Sequence, residues 1–501
     1  MRPVRLLLPQ DGLRRWHVAL ADRLARDGRT VAVDLAHAGP PTTPGLALVE
    51  TLERTLLRRG SRPCPLDAAD AADAADLPTG RPAQEGELVV DLTGAPSPRA
   101  GALAPTFDGL FGDDARDAIL LDGRAPWLEL VDPAAAPPLS FGRALPAVDR
   151  PWTLRFGRAA VATRIATLIE AALSRTPPIP FRASAPAARG RARGPSGFAR
   201  DLLADGIRRR LTRLVVDDHH WRIGWRAVGP GGSTLASGRW PAGARWRWLM
   251  DDRRRYYADP FPFERDGRTF AFCEDYRYAT GLGALCVFEV DSAGAPGPVR
   301  TILEENVHFS YPFVFEHAGE TWMMPETSGA RELRLYRATR FPDRWTLDRT
   351  LMSGISVSDA TIIEDGGRHW LLATTDEGGS SWDCLSVFSG PGPLGPWTRE
   401  GDGPALIDAS SARPAGRMSR VGGELRRPVQ DCTTGYGGGL AICRIDALGG
   451  PGAFAQTVLS RLEAPAGAGA HGVHTLNLGG GFEFIDALIP RRWRGDPERQ
   501  R

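Results

Sequence analysis

The sequence of 501 residues contains no lysine, so all 62 of its basic residues are arginine. The absence of lysine excludes a lysine Schiff base and a phosphate-binding loop of the type that depends on lysine. Basic and acidic residues nearly balance, and the formal net charge is +2. This balance gives no overall basic field of the kind that attracts nucleic acid. We therefore expect no nucleic-acid partner.

Cysteine is also scarce, with six residues and no CxxC pair. Most of the cysteines stand in apolar, strand-like segments, where a free thiol packs as a small hydrophobic group. This pattern favours a reduced, cytoplasmic compartment and leaves disulfide bonds open. No apolar run has the length of a signal peptide or a membrane span. Any membrane contact is therefore expected to be peripheral.

The first 175 residues alternate short apolar segments with segments of helical periodicity. We predict strands at 4–8, 30–35 and 87–92 and helices at 11–26, 46–59 and 158–174. Such alternation is typical of an α/β domain with a parallel sheet. The repeat DAADAADAAD at 67–76 is interpreted as a solvated loop.

Residues 176–217 separate this domain from the rest of the chain. They begin with a linker rich in Pro, Ala, Arg and Gly and continue into a predicted basic helix at 198–214 with five arginines. We interpret the charged residues of this helix as a solvated face, with contact to an anionic membrane surface as the alternative.

From residue 218 onward, the chain repeats one phrase about every 50 residues. The copies read ADPFPFERDGRTFAFCEDY, SYPFVFEHAGETWMMPETS, SDATIIEDGGRHWLLATTD, ARPAGRMSRVGGELRRPVQD and, more weakly, HTLNLGGGFEFIDAL. Each copy predicts a strand, a turn containing glycine and a second strand. Two further strands follow in each unit, so the repeat predicts a five-bladed β-propeller over 218–495. The segment WRIGWRAV at 221–228 is predicted to complete the last blade and close the ring.

The alignment of the copies places charged and polar residues at matched positions. The first strand of each copy begins at Asp259, Tyr311, Asp359, Arg413 or His474. The second strand returns to the same end and carries Glu274, Glu326, Asp376 or Gln430 in that region. Because the innermost strands of a propeller line its central channel, we predict that these residues ring one mouth of the channel.

The phrases RRYYADPFPFE, HFSYPFVFE, MPETSGARELRLYRATRFPDRW, VSDATII, SARPAGR and RPVQDC resemble a domain of known type. It is the N-terminal domain named for the plant glucosamine inositolphosphorylceramide transferases, which also occurs in bacterial proteins. The resemblance implies the five-bladed propeller of the family 43 and family 32 glycoside hydrolases over 218–495. The plant proteins carry a separate glycosyltransferase domain after the propeller. This chain stops at Arg501, so we do not expect their transferase activity to carry over directly.

The first 175 residues are similar, through RLLLP and ELVVDLTG, to a Rossmann-like formyltransferase domain of the kind found in bacterial relatives. That family uses an Asn-His-Asp set, which has no counterpart here. We therefore expect a degenerate, non-catalytic domain. The overall prediction is a multidomain protein, with an α/β Rossmann-like domain followed by the all-β propeller.

The resemblance to family 43 implies roles for three acidic residues. Cleavage of a glycosidic bond needs two carboxyl groups on opposite sides of that bond. Asp259 corresponds to the general base, and Asp359 corresponds to the aspartate that orients the acid. The glutamate that the family places in a later blade is replaced by Arg413. Glu326, or with less support Glu274, is therefore predicted to donate the proton.

Further residues at the predicted mouth are candidate substrate contacts. They are Glu274, His308, Tyr311, Arg413, Arg417, Arg427, Gln430 and His474. The arginines indicate an anionic sugar or a phosphate-bearing ligand, with salt bridges between blades as an equal alternative. No cofactor is expected, and the HGVH sequence at 471–474 lacks the carboxylate motif that would indicate a metal site.

Two functions remain open from the sequence. The first is a glycosyltransferase or glycoside hydrolase-like protein that acts on a cell-surface glycan or glycoconjugate. The alternative is a non-catalytic glycan-binding or scaffolding module in polysaccharide assembly. Both predict a glycan or another sugar-containing molecule as the partner.

Overall fold

The computed structural model describes residues 2–37, 45–56, 66, 69, 75, 77–95, 97–148, 153–174, 180–185, 194–213, 216–217, 220–449, 454–466, 469–489 and 491–492. The chain divides into two compact units, one of residues 1–208 with 378–380 and one of residues 209–377 with 381–501. Among the described residues, no helix is both long and apolar enough to cross a bilayer. Of the tract at 67–76, only residues 69 and 75 are described, and much of the linker also lies outside the described residues.

The first unit begins with the predicted alternation of strands and helices. Its first elements are β1 (Val4–Pro9), α1 (Arg15–Arg26), β2 (Val31–Ala36), α2 (Leu46–Leu56) and β3 (Leu88–Asp91). The three strands form a parallel sheet in the order β2-β1-β3. Strand β1 is buried along its whole length, as expected for the central strand of a parallel sheet with an almost continuous apolar sequence.

The second half of this unit does not continue the parallel sheet. It contains β4 (Ala104–Phe107), β5 (Leu110–Phe111), α3 (Asp113–Leu121), β6 (Leu128–Asp132), β7 (Leu139–Ala144), α4 (Leu154–Leu173) and β8 (Phe181–Arg182). Its strands form a separate antiparallel sheet in the order β5-β4-β6-β7-β8. Short turns join β4 to β5 and β6 to β7, and turns of this length can join only antiparallel strands. The prediction of a Rossmann-like domain is therefore not supported.

The second unit is built almost entirely of strands. The chain enters it through α5 (Pro195–Arg213), β9 (Val216–Asp217), β10 (Trp221–Ala227), α6 (Thr234–Ser237) and β11 (Arg247–Trp248). Blade one contains β12 (Arg255–Arg265), β13 (Arg268–Arg277), β14 (Leu282–Val290) and β15 (Arg300–Leu303). Blade two contains β16 (Ser310–His317), β17 (Glu320–Glu326), β18 (Glu332–Arg340) and β19 (Arg344–Ser353).

The remaining strands repeat the same plan. Blade three contains β20 (Val357–Asp365), β21 (Arg368–Thr375), β22 (Cys384–Gly390), β23 (Thr398–Arg399) and the short β24 (Leu406–Ile407). Blade four contains β25 (Ser419–Val421), β26 (Glu424–Asp431), β27 (Gly439–Leu448) and β28 (Phe454–Leu462). The last strands are β29 (Gly472–Gly479), β30 (Phe482–Leu488) and β31 (Arg491–Arg492), of which β31 pairs with β9.

Blade five closes the ring with strands from both ends of the repeat region. Its order is β11-β10-β30-β29, and β10 pairs with β30 from Trp221 opposite Leu488 to Ala227 opposite Phe482. Strand β12 contacts β16 and β29, β16 contacts β20, and β26 contacts β29, so the blades follow one another around a circle. The five blades and the closing role of WRIGWRAV are confirmed. Closure pairs strand edges that would otherwise be exposed.

Apolar side chains between the blades hold this unit together. The largest buried cluster joins blades one to three and includes Phe272, Phe313, Met323, Trp345 and Leu371. These rings and chains fill the space between adjacent sheets, so each blade can bury both of its faces. The tight packing fixes the inner strands, which carry the candidate site.

Candidate functional site

The inner strands of blades one to three carry the same irregularity at the position aligned from the sequence. The strand register shifts between Ala258 and Phe261, and equivalent shifts occur in blades two and three. The residues within the three shifts are Asp259, Tyr311 and Asp359, with φ values of 51°, 46° and 55°. Residues other than glycine rarely adopt such backbone angles. These angles cost about 1–3 kcal/mol and persist only where the surrounding structure holds them. The repeated bulge takes each of these side chains out of the normal alternation of its strand.

The residues near these bulges line a cavity of about 340 Å³. All five blades contribute to it. The lining residues are Trp221, Tyr256, Ala258, Asp259, Glu274, His308, Ser310, Glu326, Ser381, Trp382, Arg413, Tyr436 and His474. Six of the sequence-predicted residues are therefore brought together at this cavity: Asp259, Glu274, His308, Glu326, Arg413 and His474. The other six are buried or partly buried outside its lining: Tyr311, Asp359, Asp376, Arg417, Arg427 and Gln430.

Asp259 is held by donors from two other blades. Its Oδ1 accepts a hydrogen bond from the Thr475 hydroxyl at 2.8 Å and lies 3.3 Å from His474 Nε2. Its Oδ2 accepts a hydrogen bond from the backbone N–H of Tyr311 at 3.1 Å. Burial raises the pKa of Asp259, and the adjacent His474 opposes this rise. The carboxyl group is therefore fixed in orientation on the wall of the cavity.

Asp486 supports both members of this pair and was not identified from the sequence. Its Oδ1 lies 2.8 Å from His474 Nδ1, and its Oδ2 accepts a hydrogen bond from the backbone N–H of Asp259 at 2.8 Å. Burial lowers the pKa of His474, but Asp486 and Asp259 outweigh this effect, so the pKa is raised overall. The ring of His474 thus lies between two carboxyl groups, which favour its protonated form. The available signal was an acidic residue in the second strand of the fifth copy, in FEFIDAL.

These three side chains also place nitrogen and oxygen atoms within 4.8 Å of one another, close enough for shared coordination of a cation. The oxygens of Asp259 and Asp486 nevertheless already accept hydrogen bonds from N–H and O–H groups of the protein. The carboxyl oxygens of the cluster therefore have hydrogen-bond donors within the protein.

Asp359 lies behind the cavity and anchors Arg413, which reaches it. Arg413 Nε donates to Asp359 Oδ2 at 2.6 Å, and Gln430 Nε2 donates to the same oxygen at 3.0 Å. Burial opposes the charge of Arg413, but Asp359 and other groups outweigh it and raise the pKa of the guanidinium well above its usual value. Burial also raises the pKa of Asp359, and Arg413 opposes that rise. The geometry is that of a buried ion pair, in which Asp359 neutralises the charge of Arg413.

Glu326 is surrounded by hydrogen-bond donors. Its Oε1 accepts from the hydroxyls of Ser328 at 2.5 Å and Ser358 at 3.2 Å. Its Oε2 accepts from the backbone N–H of Asp359 at 3.1 Å and lies 3.8 Å from Arg413 Nη2. An ionised carboxylate suits four such neighbours, because it only accepts hydrogen bonds. A carboxyl group that donates a proton fits this environment poorly.

Glu274 is the contrasting case. Within the described residues it makes no hydrogen bond, and its Oε1 is buried without a partner. Its possible cationic partner is His308, whose Nε2 lies 3.5 Å from Glu274 Oε1, but burial lowers the pKa of His308 and favours the neutral ring. Burial raises the pKa of Glu274 well above its usual value, and the neighbouring Asp259 and Glu326 raise it further. Glu274 is therefore a buried carboxyl group that favours either a proton or a cationic partner.

Aromatic rings form part of the cavity wall. The ring of Trp221 lies 4.0 Å from that of His474, and Tyr436 lies 5.1 Å from His474 and 5.6 Å from Trp382. A Cβ at Gly437 would lie 2.3 Å from the ring of Trp221, so only glycine leaves room for that ring. Flat apolar faces beside polar groups are suited to binding a sugar ring.

Arg417 and Arg427 do not face the cavity, so they do not support the predicted anionic ligand. Arg417 donates to the backbone carbonyl of Val314 and stacks over Phe313 at 4.5 Å. Arg427 donates to the carbonyl of Ala412 at 2.5 Å. Burial lowers the pKa of both arginines to about 10. Their guanidinium groups contact backbone carbonyls and aromatic rings inside the protein, and these contacts are not the salt bridges between blades that formed the alternative prediction.

Tyr311 and Gln430 also serve the interior. The Tyr311 hydroxyl lies 3.0 Å from Thr361 Oγ1 and accepts a hydrogen bond from the backbone N–H of Gly416 at 2.7 Å. Gln430 supports Asp359 and donates a second hydrogen bond to the carbonyl of Pro414 at 3.3 Å. These residues therefore position the site from outside the cavity lining.

The balance of charges around the cavity is negative. The carboxyl groups belong to Asp259, Glu274, Glu326, Asp359 and Asp486, and the cations are Arg413 and His474. Five acidic groups and two cations give a formal charge of −3 if every group is ionised. Burial raises the pKa of Asp259, Glu274 and Asp359, so protons on these groups reduce the surplus, and any negative charge that remains favours a positively charged ligand over an anionic one.

Comparison with known proteins identifies the same part of the chain. Residues 251–459 match the N-terminal domain of glucosamine inositolphosphorylceramide transferase 1. The matched segment lies inside the range of 218–495 that the sequence phrases indicated. Proteins of that name from Oryza sativa subsp. japonica and Arabidopsis thaliana are 36% and 32% identical over 198 residues. The alignment covers 38% of this chain and 26% of each plant protein, so the chain spans about a quarter of the length of these relatives. The relatives are plant proteins, and no comparison supports the predicted bacterial origin or the formyltransferase-like domain.

Solved structures of glycoside hydrolases are also similar to this chain. The catalytic domain of the Coprinopsis cinerea GH62 α-L-arabinofuranosidase is 16% identical, with a TM-score of 0.38, and covers 55% of this chain and 93% of its own. The GH43_1 enzyme from Xanthomonas citri complexed with xylotriose is 14% identical, with a TM-score of 0.35, and covers 49% and 89%.

Proposed function

We propose that the mouth of the propeller binds a sugar unit that carries a protonated amino group, as part of a glycan or glycoconjugate. The observation that carries this proposal is Glu274, a buried carboxyl group without a hydrogen-bond partner on the wall of the cavity. An ammonium group bound there would supply the missing partner and reduce the repulsion from Asp259 and Glu326. The plant relatives are named for a glucosamine-containing product, and this name supports an amino sugar as the ligand class.

The aromatic wall supports the same ligand class. Trp221, Trp382 and Tyr436 offer ring faces for contact with the C–H groups of a sugar, and Tyr256 lines the cavity from blade one. A cation held between aromatic rings and carboxyl groups gains from both interactions. A neutral sugar would make the C–H contacts with the rings but would lack the attraction between its own positive charge and the carboxyl groups.

The arrangement of the acidic groups favours binding over cleavage. Ala258 and Glu274 are direct partners across a hairpin, so Asp259 and Glu274 approach a ligand from the same blade. Cleavage requires carboxyl groups on opposite sides of the glycosidic bond. Glu326 lies on another blade, but its donors hold it as an acceptor. We therefore favour a glycan-binding module, the second of the two functions that the sequence left open.

Catalysis of glycosyl transfer or hydrolysis is the second candidate. In this case Asp259 would act as the general base and Glu274, rather than Glu326, would donate the proton. The raised pKa of Glu274 favours this candidate, because a proton donor must hold its proton at neutral pH. The support of Asp259 by His474 and Asp486 also suits a base that is kept in a fixed orientation.

Calorimetric titration with matched monosaccharides tests the proposal. We expect methyl glucosaminide to bind about 10–100-fold more tightly than methyl glucoside, since a charge-assisted hydrogen bond contributes about 1.5–3 kcal/mol. Glu274→Gln should remove this preference while keeping the binding of the neutral sugar. Glu264→Gln is the matched control, because Glu264 is exposed on the same blade.

Each possible outcome distinguishes the candidates. Equal binding of both sugars would refute the amino group but retain a sugar site. Absence of binding to either sugar and to an array of glycans would refute the proposed function. Release of a sugar product that is lost in Asp259→Asn would establish the catalytic candidate instead.

A further inference from the structure

Two cysteines in blade one face each other across adjacent strands. Cys273 on β13 and Cys286 on β14 are direct partners in the antiparallel register. Their sulfur atoms are 2.9 Å apart, and both residues are completely buried. The two sulfur atoms are therefore in direct contact with each other, beyond lying in the same apolar cluster.

The backbone geometry is compatible with a covalent bond between them. Directly opposed residues in an antiparallel pair have Cα atoms about 4.5–5.5 Å apart. A disulfide bond needs Cα atoms about 4.4–6.8 Å apart and sulfurs about 2.05 Å apart. The remaining approach of the sulfurs requires only small side-chain rotations. We propose that Cys273 and Cys286 form a disulfide bond when the protein folds under oxidising conditions.

The bond must form before blade one is fully packed. The two thiols lie in an apolar cluster with Trp225, Phe288 and Phe484, which leaves an oxidant no access in the folded protein. Each thiol loses one proton and one electron. A small-molecule or protein disulfide accepts both electrons and both protons and becomes two thiols.

The folded dithiol is not expected to convert to the disulfide. Burial raises the pKa of the Cys286 thiol well above its usual value, so the nucleophilic thiolate is disfavoured. The reduced and oxidised forms should therefore persist once each has folded. The compartment in which the chain folds would decide which form exists, and the reduced compartment expected from the sequence would preserve the two thiols.

The bond would strengthen the strands that carry part of the candidate site. Glu274 follows Cys273 directly, and its partner Leu285 precedes Cys286. A bond between the cysteines closes the hairpin formed by β13 and β14 and restricts the unfolded chain. It would therefore stabilise the backbone next to the Glu274 carboxyl group.

Refolding of the full chain with oxidised or reduced glutathione tests this inference. After oxidative refolding and alkylation of the remaining thiols, peptide mapping should find the segments of Cys273 and Cys286 joined, with a loss of two hydrogens. The oxidised protein should melt roughly 5–10 °C higher than the reduced protein. Cys273→Ala with Cys286→Ala should remove the difference, whereas Cys443→Ala in blade four should retain it.

The mapping decides the outcome even if the double variant folds poorly. Recovery of both cysteines as alkylated thiols from oxidatively refolded wild-type protein would overturn the proposal. A different cysteine pair in the linked peptides would also overturn it. Equal melting temperatures of the linked and reduced proteins would refute the predicted stabilisation.

Discussion

Replacing Arg413 with methionine should destabilise the propeller by about 3–5 kcal/mol, the usual loss when one member of a buried ion pair is removed. Arg413 and Asp359 are 5% and 2% exposed, and Nε and Oδ2 are 2.6 Å apart. Methionine has a similar length but carries no charge. It would leave the Asp359 carboxyl group buried, with the Gln430 amide as its remaining hydrogen-bond donor among the described residues. The charge-assisted geometry of the pair is the reason to expect a loss at the upper end of typical substitutions.

A double-mutant cycle isolates the interaction from the effects of changed packing. Asp359→Asn keeps the shape of the side chain but removes its charge. The double variant should be more stable than the sum of the two single losses predicts, with a coupling energy of about 1–3 kcal/mol. Arg340→Met is the control, because Arg340 pairs with Asp343 at an exposed position. Such a surface pair is screened by solvent, so its removal should leave stability within experimental error.

Urea unfolding followed by tryptophan fluorescence is a suitable assay. Eleven of the 14 tryptophans lie after residue 209, so the signal mainly reports on the propeller. The urea midpoint should fall at an unchanged slope, since the surface exposed on unfolding is the same. A loss below about 1 kcal/mol, or additive single losses, would show that Arg413 and Asp359 are not a coupled buried pair.

Three further predictions follow from the same site. The raised pKa of Glu274 means that the folded protein loses stability as pH rises from the usual carboxyl pKa through the raised value, by up to about 1.4 kcal/mol per pH unit. Glu274→Gln should remove this slope in urea unfolding measured between about pH 5 and about pH 8, and an unchanged slope would contradict the assignment. Gly437→Ala should displace the ring of Trp221, because the new Cβ would lie 2.3 Å from that ring. Sugar affinity should fall about tenfold with little change in circular dichroism. Unchanged affinity would show that Trp221 is not part of the binding surface. Asp259→Asn should lose stability, because an amide carries no charge for His474 and cannot accept hydrogen bonds on both sides. Asp259→Val should lose about 1–3 kcal/mol more, because a β-branched residue does not tolerate the φ of 51°; equal thermal stability of the two variants would argue against the strained bulge.

The repeat in the sequence was sufficient to predict the propeller and to predict that several of the aligned residues meet at one cavity. A period of about 50 residues with two alternating strands per phrase leaves few alternatives to a ring of blades. The matched position also has a physical basis, because Asp259, Tyr311 and Asp359 occupy the same bulge with the same sign of φ. Local sequence sets this bulge, so aligning the copies recovers it. The antiparallel sheet in the first unit lacked such a repeated signal and was missed.

The side-chain partners within the site could not be obtained in the same way. No local sequence pattern indicates the partner of Asp486, because its contact with Asp259 spans 227 positions of the chain. The contact exists only because blade five closes against blade one. Arg417 and Arg427 are charged residues that a sequence would place at the surface, yet they lie in the interior because backbone carbonyls and aromatic rings from other segments contact them there. Their destinations depend on the completed ring rather than on local sequence.

Arg413 in blade four stands where the resemblance to family 43 implies an acid. Its contacts indicate a structural role in balancing the charges at the mouth. Arg413 is matched by Asp359, and His474 is matched by Asp259 and Asp486, so each cation at the mouth already has an anionic partner. Glu326 is satisfied by hydroxyl and backbone donors. Among the described carboxyl groups around the cavity, Glu274 has a buried oxygen without a hydrogen bond, and its one ion-pair contact is with His308, whose own pKa is lowered by burial. Because a buried carboxylate without a partner is costly, the remaining positive charge must come from a proton or from the ligand. In the proposed function, Glu274 is the position where the ligand supplies the positive charge that the protein does not.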